Sequence, residues 1–284
     1  MEKQKFILVT GASSGLGKAL TLELSSNGYT AFAGVRSEND KLLFSSQPNI
    51  IPVILDVSKS ENISSAFQFI SGITNQLGWY ALINNAGINY LSAFELADER
   101  KERELFEVNL LGAMQLTRKM LPLLHQFVNS NTTTAKIINV SSIGGVFGLP
   151  WEASYHASKF AMIGFSQSLR YELEKLGISV CCFIPGGMKT NIFQKSIAAS
   201  QAATQNNFHQ HFPFYQKNLQ HMHKVMHGFE KSSAPAHQAA KKVSRLLRND
   251  RLPMKKYFGV DAIFIQIFTW LGLTSLLGGH FIAK

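Results

Sequence analysis

A chain of 284 residues, 45% of them hydrophobic, can bury one sizeable α/β core, and nothing in it reads as a repeat array or a low-complexity polymer. Its net charge of +10 is local: residues 195–284 hold 12 Lys/Arg against 3 Asp/Glu, whereas residues 1–194 hold 16 against 15. The basic excess, with seven of the nine histidines, therefore sits in the last third, where it faces an acidic partner, an anionic headgroup, an anionic substrate or plain solvent. No nucleic-acid partner is expected.

The first element is a β-rich run, KFILVT from Lys5 to Thr10, followed at once by GASSGLG and a helical pattern, KALTLELSS. Gly11, Gly15 and Gly17 form T-G-x-x-x-G-x-G between strand and helix. Glycines there let the backbone approach a pyrophosphate while free N–H groups at the helix start face the anion, although glycine turns also join many strands to helices with no ligand involved. Second, third and fourth strands follow at Tyr29–Val35, Asn49–Val57 and Trp79–Gly87. Helical stretches between them imply parallel pairing and a doubly wound sheet that binds its ligand at the carboxyl ends of the strands.

At the end of the second strand stands Arg36, with no acid before Glu38. An arginine there suits the 2′-phosphate of NADP and an acid would suit the ribose hydroxyl of NAD, so NADP(H) is expected ahead of NAD(H). Asp56, ending the third strand, either bonds the adenine amino group or caps the following turn. Next comes a helix from about Arg103 to Phe127 with Asn109 inside it, then a fifth strand ending in NVSS, and then SYHASKFAM, where Tyr155 and Lys159 lie four apart on one helix face. His156 projects about 100° away from Tyr155 and is read as structural. Cys181 and Cys182 are adjacent on the sixth strand and point to opposite faces, so they are not expected to bridge. Two cysteines and a start without a signal peptide suggest the cytoplasm, with membrane association as an addition.

In the C-terminal third, His223, His227 and Glu230 have helical metal-compatible spacing but no convincing third ligand, and no metal is expected. A helix from Ala234 precedes a last strand at KKYFGV. Ile263 to Gly279 then runs 17 residues without a charge. It covers the core or a dimer interface, lies on a membrane surface beside the basic helix, or spans a bilayer at the lower limit of length.

TGASSGLG, the LDV of the third strand, NNAG at Asn84–Gly87, VNLLG around Asn109, NVSS ending at Ser142, Tyr155-x-x-x-Lys159 and PGGMKT at Pro185–Thr190 occur in the order found in the short-chain dehydrogenase/reductase family. Residues 5 to 190 resemble that family. The resemblance implies a Rossmann-type α/β fold: a single domain with a nucleotide-binding and catalytic core at 1–190, a helical substrate lid at 191–232, the last core helix and strand at 233–260, and an apolar extension at 261–284. It implies Tyr155 as general acid/base, Lys159 lowering its pKa and gripping the nicotinamide ribose, Ser142 rather than Ser141 bonding the substrate oxygen, and Asn109 holding a relay water. Gly11, Ser13, Ser14, Gly15, Leu16 and Gly17, then Arg36, Asp56, Val57, Asn85, Ala86 and Gly87, and finally Pro185, Gly186 and Thr190 would line the cofactor with Tyr155 and Lys159.

The tail and lid look most like the steroid and retinol dehydrogenase branch. What that implies is an NAD(P)-dependent oxidoreductase interconverting alcohol and ketone or aldehyde on a lipophilic small molecule, in a homodimer or homotetramer. The rival readings are an NAD(H)-dependent reductase of a small polar carbonyl and a dinucleotide-binding regulator without chemistry. The presence of Asn109, Ser142, Tyr155 and Lys159 together argues against the last.

Overall fold

In the computed structural model, the residues described are 4–74, 78–131, 133–189, 217–218, 220–222, 224, 227 and 233–273. Strands β1 (Phe6–Val9), β2 (Thr30–Val35), β3 (Ile50–Ile54), β4 (Ala81–Asn84), β5 (Ala135–Val140), β6 (Ile178–Pro185) and β9 (Lys255–Phe258) form one sheet in the order β3-β2-β1-β4-β5-β6-β9. Every neighbouring pair in it is parallel. The order reverses between β1, which pairs Val9 with Ala33 on one side, and β4, which pairs Ile83 with Val9 on the other. Crossovers leave in opposite directions there, opening a crevice at the carboxyl ends. A two-residue pairing of β7 (Met188–Lys189) with β8 (Ala234–Pro235) brings together the two ends of the segment between them.

Continuous apolar runs such as FILV and ALIN suit strands covered on both faces, and all four positions of each are buried. Helix α1 (Gly15–Ser26), a single turn α2 (Glu38–Lys41), α3 (Ser60–Thr74), α4 (Glu99–Phe106), α5 (Gly112–Ser130), α6 (Ala153–Leu173) and α7 (Ala236–Leu247) supply the cover. Trp79 and Phe32 meet at 4.8 Å between ring centroids, both fully buried, in the layer under β1 and β2. Burying one large apolar side chain contributes roughly 1.5–3 kcal/mol, so these layers hold the strand ends in place. Cys181 and Cys182 are buried and free, as their alternation on β6 requires.

One feature differs from the sequence expectation, and one alternative it left open is narrowed. The long helix begins at Glu99, and between α4 and α5 residues Glu107–Leu111 form a π-turn that carries Asn109. The apolar C-terminal stretch contains α8 (Val260–Trp270), 11 residues long, or about 16 Å of rise against the roughly 30 Å of a bilayer core. Ala262 and Ile265 pack inward from it while Val260, Phe264, Ile267 and Trp270 stay exposed. Among the described residues no helix is long and apolar enough to cross a membrane; residues 274–279 of the stretch lie outside them.

Candidate active site

The carboxyl ends of β1 to β6 open into one cleft of about 550 Å³. Its first wall is the β1–α1 loop. Gly11 and Gly15 take positive φ (65° and 53°), conformations that L side chains adopt only with strain. A Cβ on Gly17 would sit 2.1 Å from the Gly11 carbonyl oxygen and 2.6 Å from Asn85 Nδ2. Ser14 is the N-cap of α1 but gives it no side-chain cap, and the first turn holds no acid. The amides of that turn, flanked by Ser13 and Leu16 in the cleft wall, are thus left to an anion from outside. This loop fits a pyrophosphate.

Asn85 and Ala86 are braced against the same loop. Both backbone N–H groups donate to Thr10 Oγ1 at 2.9 Å, and Asn85 Nδ2 donates to the Thr10 carbonyl at 2.8 Å. Arg36 is exposed at the rim and makes no ion pair among the described residues. Glu38 is turned to Lys41 at 3.0 Å instead. Asp56 does cap its turn, accepting from Ser58 N at 3.1 Å and Ser58 Oγ at 2.7 Å, and with Val57 it still lines the cleft.

At the other end stand Ser142, Tyr155 and Lys159. Ser142 follows β5 in extended backbone, and its hydroxyl accepts from Gly144 N at 3.1 Å and faces the Tyr155 phenol, whose pKa it pulls down. Ser141 points the opposite way and donates to the Lys159 carbonyl at 2.9 Å, tying β5 to α6. One helical turn puts the Lys159 ammonium 5.8 Å from the Tyr155 ring centroid, and it donates to the Val140 carbonyl at 3.3 Å. Burial lowers Lys159 to about 8 and raises Tyr155 to about 12, the second partly offset by the Ser142 hydroxyl and reinforced by the charge of Glu152. A Cβ on Gly87 would stand 3.3 Å from both Lys159 Nζ and Asn109 Oδ1, so a glycine keeps the space between them open.

Asn109 is buried behind this group rather than in the cleft wall. Its Oδ1 accepts from Ile88 N at 2.8 Å and its Nδ2 donates to the Ile88 carbonyl at 2.9 Å and to Ser158 Oγ at 3.1 Å. Pro185 and Gly186 line the cleft at the end of β6. Thr190, His223 and Glu230 lie outside the described residues, as do most residues of 191–232.

Four residues with structural claims on the site escape the sequence reading. Thr10 is one. Asp261, the lone acid in an otherwise charge-free stretch, accepts from Gly187 N at 2.6 Å and packs so close to Gly186 that a Cβ there would meet Oδ1 at 2.0 Å. Glu152 and Asn89 are hydrogen-bonded at 2.5 Å beside Tyr155; the signal for Glu152 is an acid set in the apolar run GLPWEASYH. His156 is structural, as expected: Nδ1 lies 2.7 Å from the Gly144 carbonyl and Nε2 accepts from Leu149 N at 3.0 Å.

A profile of the short chain dehydrogenase family matches residues 5–201. Human 17-beta-hydroxysteroid dehydrogenase type 2 is 37% identical over 196 residues, covering 66% of this chain and 49% of that protein, so the chain spans about half the length of this relative. The 3-ketodihydrosphingosine reductase of Bacteroides thetaiotaomicron is 29% identical over 269 residues, 94% of this chain and 93% of that one. A short chain dehydrogenase from Burkholderia cenocepacia, solved in complex with NADP, has a TM-score of 0.73 at 24% identity and covers 99% of each chain. The profile match takes in the glycine loop, the Asn85–Gly87 turn, Ser142, Tyr155 and Lys159, and the chain belongs to the short-chain dehydrogenase family.

Proposed function

We propose that the protein is an NADP(H)-preferring oxidoreductase that interconverts a ketone or aldehyde and its alcohol on a lipophilic small molecule. The observation that carries this reading is the meeting, in one cleft, of an uncapped glycine loop and a phenol that has Ser142 beside it and a buried ammonium against its ring. Gly11, Gly15 and Gly17 with the α1 amides would hold the pyrophosphate, Asp56, Val57 and Asn85–Gly87 the adenosine and ribose, and Lys159, Pro185, Gly186 and Thr190 the nicotinamide end. Arg36, free of the acid that would otherwise claim it, suits a 2′-phosphate. The nicotinamide, when bound, supplies or accepts the hydride.

What the chain contributes is the proton and the positioning. Ser142 donates to the substrate carbonyl oxygen and so places it against the phenol. Tyr155 gives its proton to that oxygen as negative charge develops there, and takes it back in the oxidising direction. Lys159 stabilises the phenolate left behind, since a nearby cation favours the charged form. Asn109 clamps Ile88 and keeps the passage between Lys159 and the interior open for a relay water. Phe147, Leu149, Met222 and Ile265 give the cleft an apolar side that suits a carbonyl carried on a hydrocarbon.

Titration of the purified protein with NADPH and NADH, followed by turnover of a panel of steroid, retinoid, long-chain and small polar carbonyls, tests the reading. Tighter NADPH binding and consumption of an apolar carbonyl are expected. Tighter NADH binding, or turnover confined to small polar carbonyls, would overturn it.

A further inference from the structure

The cleft has a polar corner that proton transfer leaves unused. Glu152, the residue before α6, is 6% exposed, and burial raises its carboxyl above the ordinary value, against the opposing pull of His156 and Asn89. The His156 ring stands beside it, with Nε2 3.7 Å from Oε2. That ring is already committed. Nδ1 donates to the Gly144 carbonyl and Nε2 accepts from Leu149 N, so the ring has no N–H left to give to the Glu152 carboxyl.

A second observation is independent of the carboxylate. Asn89 uses its amide nitrogen on Glu152 Oε1 at 2.5 Å, which fixes the amide so that Oδ1 faces away. That Oδ1 is buried and has no hydrogen-bond partner. Both residues line the cleft. A buried carboxyl and a buried orphan acceptor, side by side, each carry a desolvation penalty that a donor removes, and a cationic donor also favours the ionised carboxylate. A primary ammonium answers both, with one N–H for Glu152 and another for Asn89 Oδ1.

We propose that Glu152 and Asn89 form the subsite for a primary ammonium carried within a few bonds of the reacting carbonyl, making the preferred substrate an α-amino ketone, or the matching amino alcohol, with an apolar chain. The proposal rests on the carbonyl–alcohol reading above and names its substrate class. Glu152 stands at the start of α6 three positions ahead of Tyr155, near enough for its charge to act on the phenol, so an amine held by the first places an adjacent carbonyl at the second. The apolar chain then runs along Leu149 and Met222, which pack together. An ammonium seated here also cancels the field by which Glu152 raises the Tyr155 phenol.

The test compares kcat/KM for a long-chain α-amino ketone with that for its desamino counterpart of equal chain length, with NADPH. The parent should favour the amine by about 10- to 100-fold, the range of a hydrogen bond to a charged group. Glu152→Gln keeps a bond from Asn89 but removes the charge, and should bring the ratio close to one. No preference in the parent, or a preference that survives Glu152→Gln, overturns the subsite. Turnover of neither ketone counts against the carbonyl–alcohol reading instead, and the subsite is then read from binding alone. A long-chain primary amine should raise the melting temperature of the parent more than the corresponding alcohol does, and lose that advantage in Glu152→Gln; equal shifts for amine and alcohol overturn it.

Discussion

At the residue scale the site is a problem of two buried groups pushed in opposite directions. Lys159 falls to about 8 because burial penalises its charge, and Tyr155 rises to about 12 for the same reason. In the reducing direction the phenol is protonated at every working pH, so the limb to watch belongs to the lysine. The pH profile of kcat/KM for NADPH, which reports free-enzyme groups, should fall above about pH 8 as Lys159 loses its proton. Lys159→Arg, charged throughout, should remove that limb. Stability moves with the opposite sign. Between about 8 and 10.5 the unfolded chain holds the Lys159 proton while the folded chain releases it, so the burial penalty present below pH 8 is relieved as pH rises. The unfolding free energy of the parent relative to Lys159→Met should therefore climb by up to about 1.4 kcal/mol per pH unit across that window. Tyr155 and Lys159 were legible as a pair because residues four apart share a helix face, while Ser142, the glycines and the roles of all of them came from motifs whose order resembles that of one family. Glu152 and Asn89 were not, since their meeting depends on the approach of the β4 loop to the start of α6, which no local pattern encodes.

The elements explain why those residues hold still. A regular helix from Glu99 to Ser130 would carry its side chains around the axis in steps of about 100°. The π-turn at Glu107–Leu111 adds a residue to one turn, and there Asn109 reaches Ile88. A slip of one residue is invisible to apolar periodicity, which is why the sequence indicated a helix and an asparagine but not the wide turn. Asn109→Ala would leave the N–H and carbonyl of Ile88 unpaired in a part-buried loop. It should lower stability by about 1–3 kcal/mol in chemical denaturation and reduce turnover through the β4 loop, while Asn109→Asp keeps the bond from Ile88 N and should recover part of the loss. The Asp261 contact to the Gly186–Gly187 turn is of the same kind. It joins α8 to the end of β6 across a long stretch of sequence, whereas its own neighbours are apolar and point to nothing.

For the molecule as a whole, parallel strands with the order reversing at β1 and β4 place all the cleft loops on one edge, and that much was written in the alternation of strand and helix. The sequence left open the path of the C-terminal third, because 17 uncharged residues are compatible with a core or interface cover, with a membrane surface and, at the lower limit of length, with a span; in the structure α8 turns Ala262 and Ile265 inward and ends after 11 residues. Ligand binding couples to this whole architecture. At about 100 times its dissociation constant NADPH should add roughly 2.7 kcal/mol to stability. NADH at the same concentration should add less, and Arg36→Ala should shrink the difference; equal stabilisation of the parent by both cofactors would contradict the role given to Arg36.

The central claim is that Tyr155 delivers the proton, and single-turnover reduction of the best carbonyl by NADPH in Tyr155→Phe tests it most directly. The variant keeps the ring and the fold but lacks the hydroxyl. Loss of the reduction rate by about 100-fold or more with NADPH binding unchanged is the predicted result. A variant that reduces the carbonyl as fast as the parent would contradict the account.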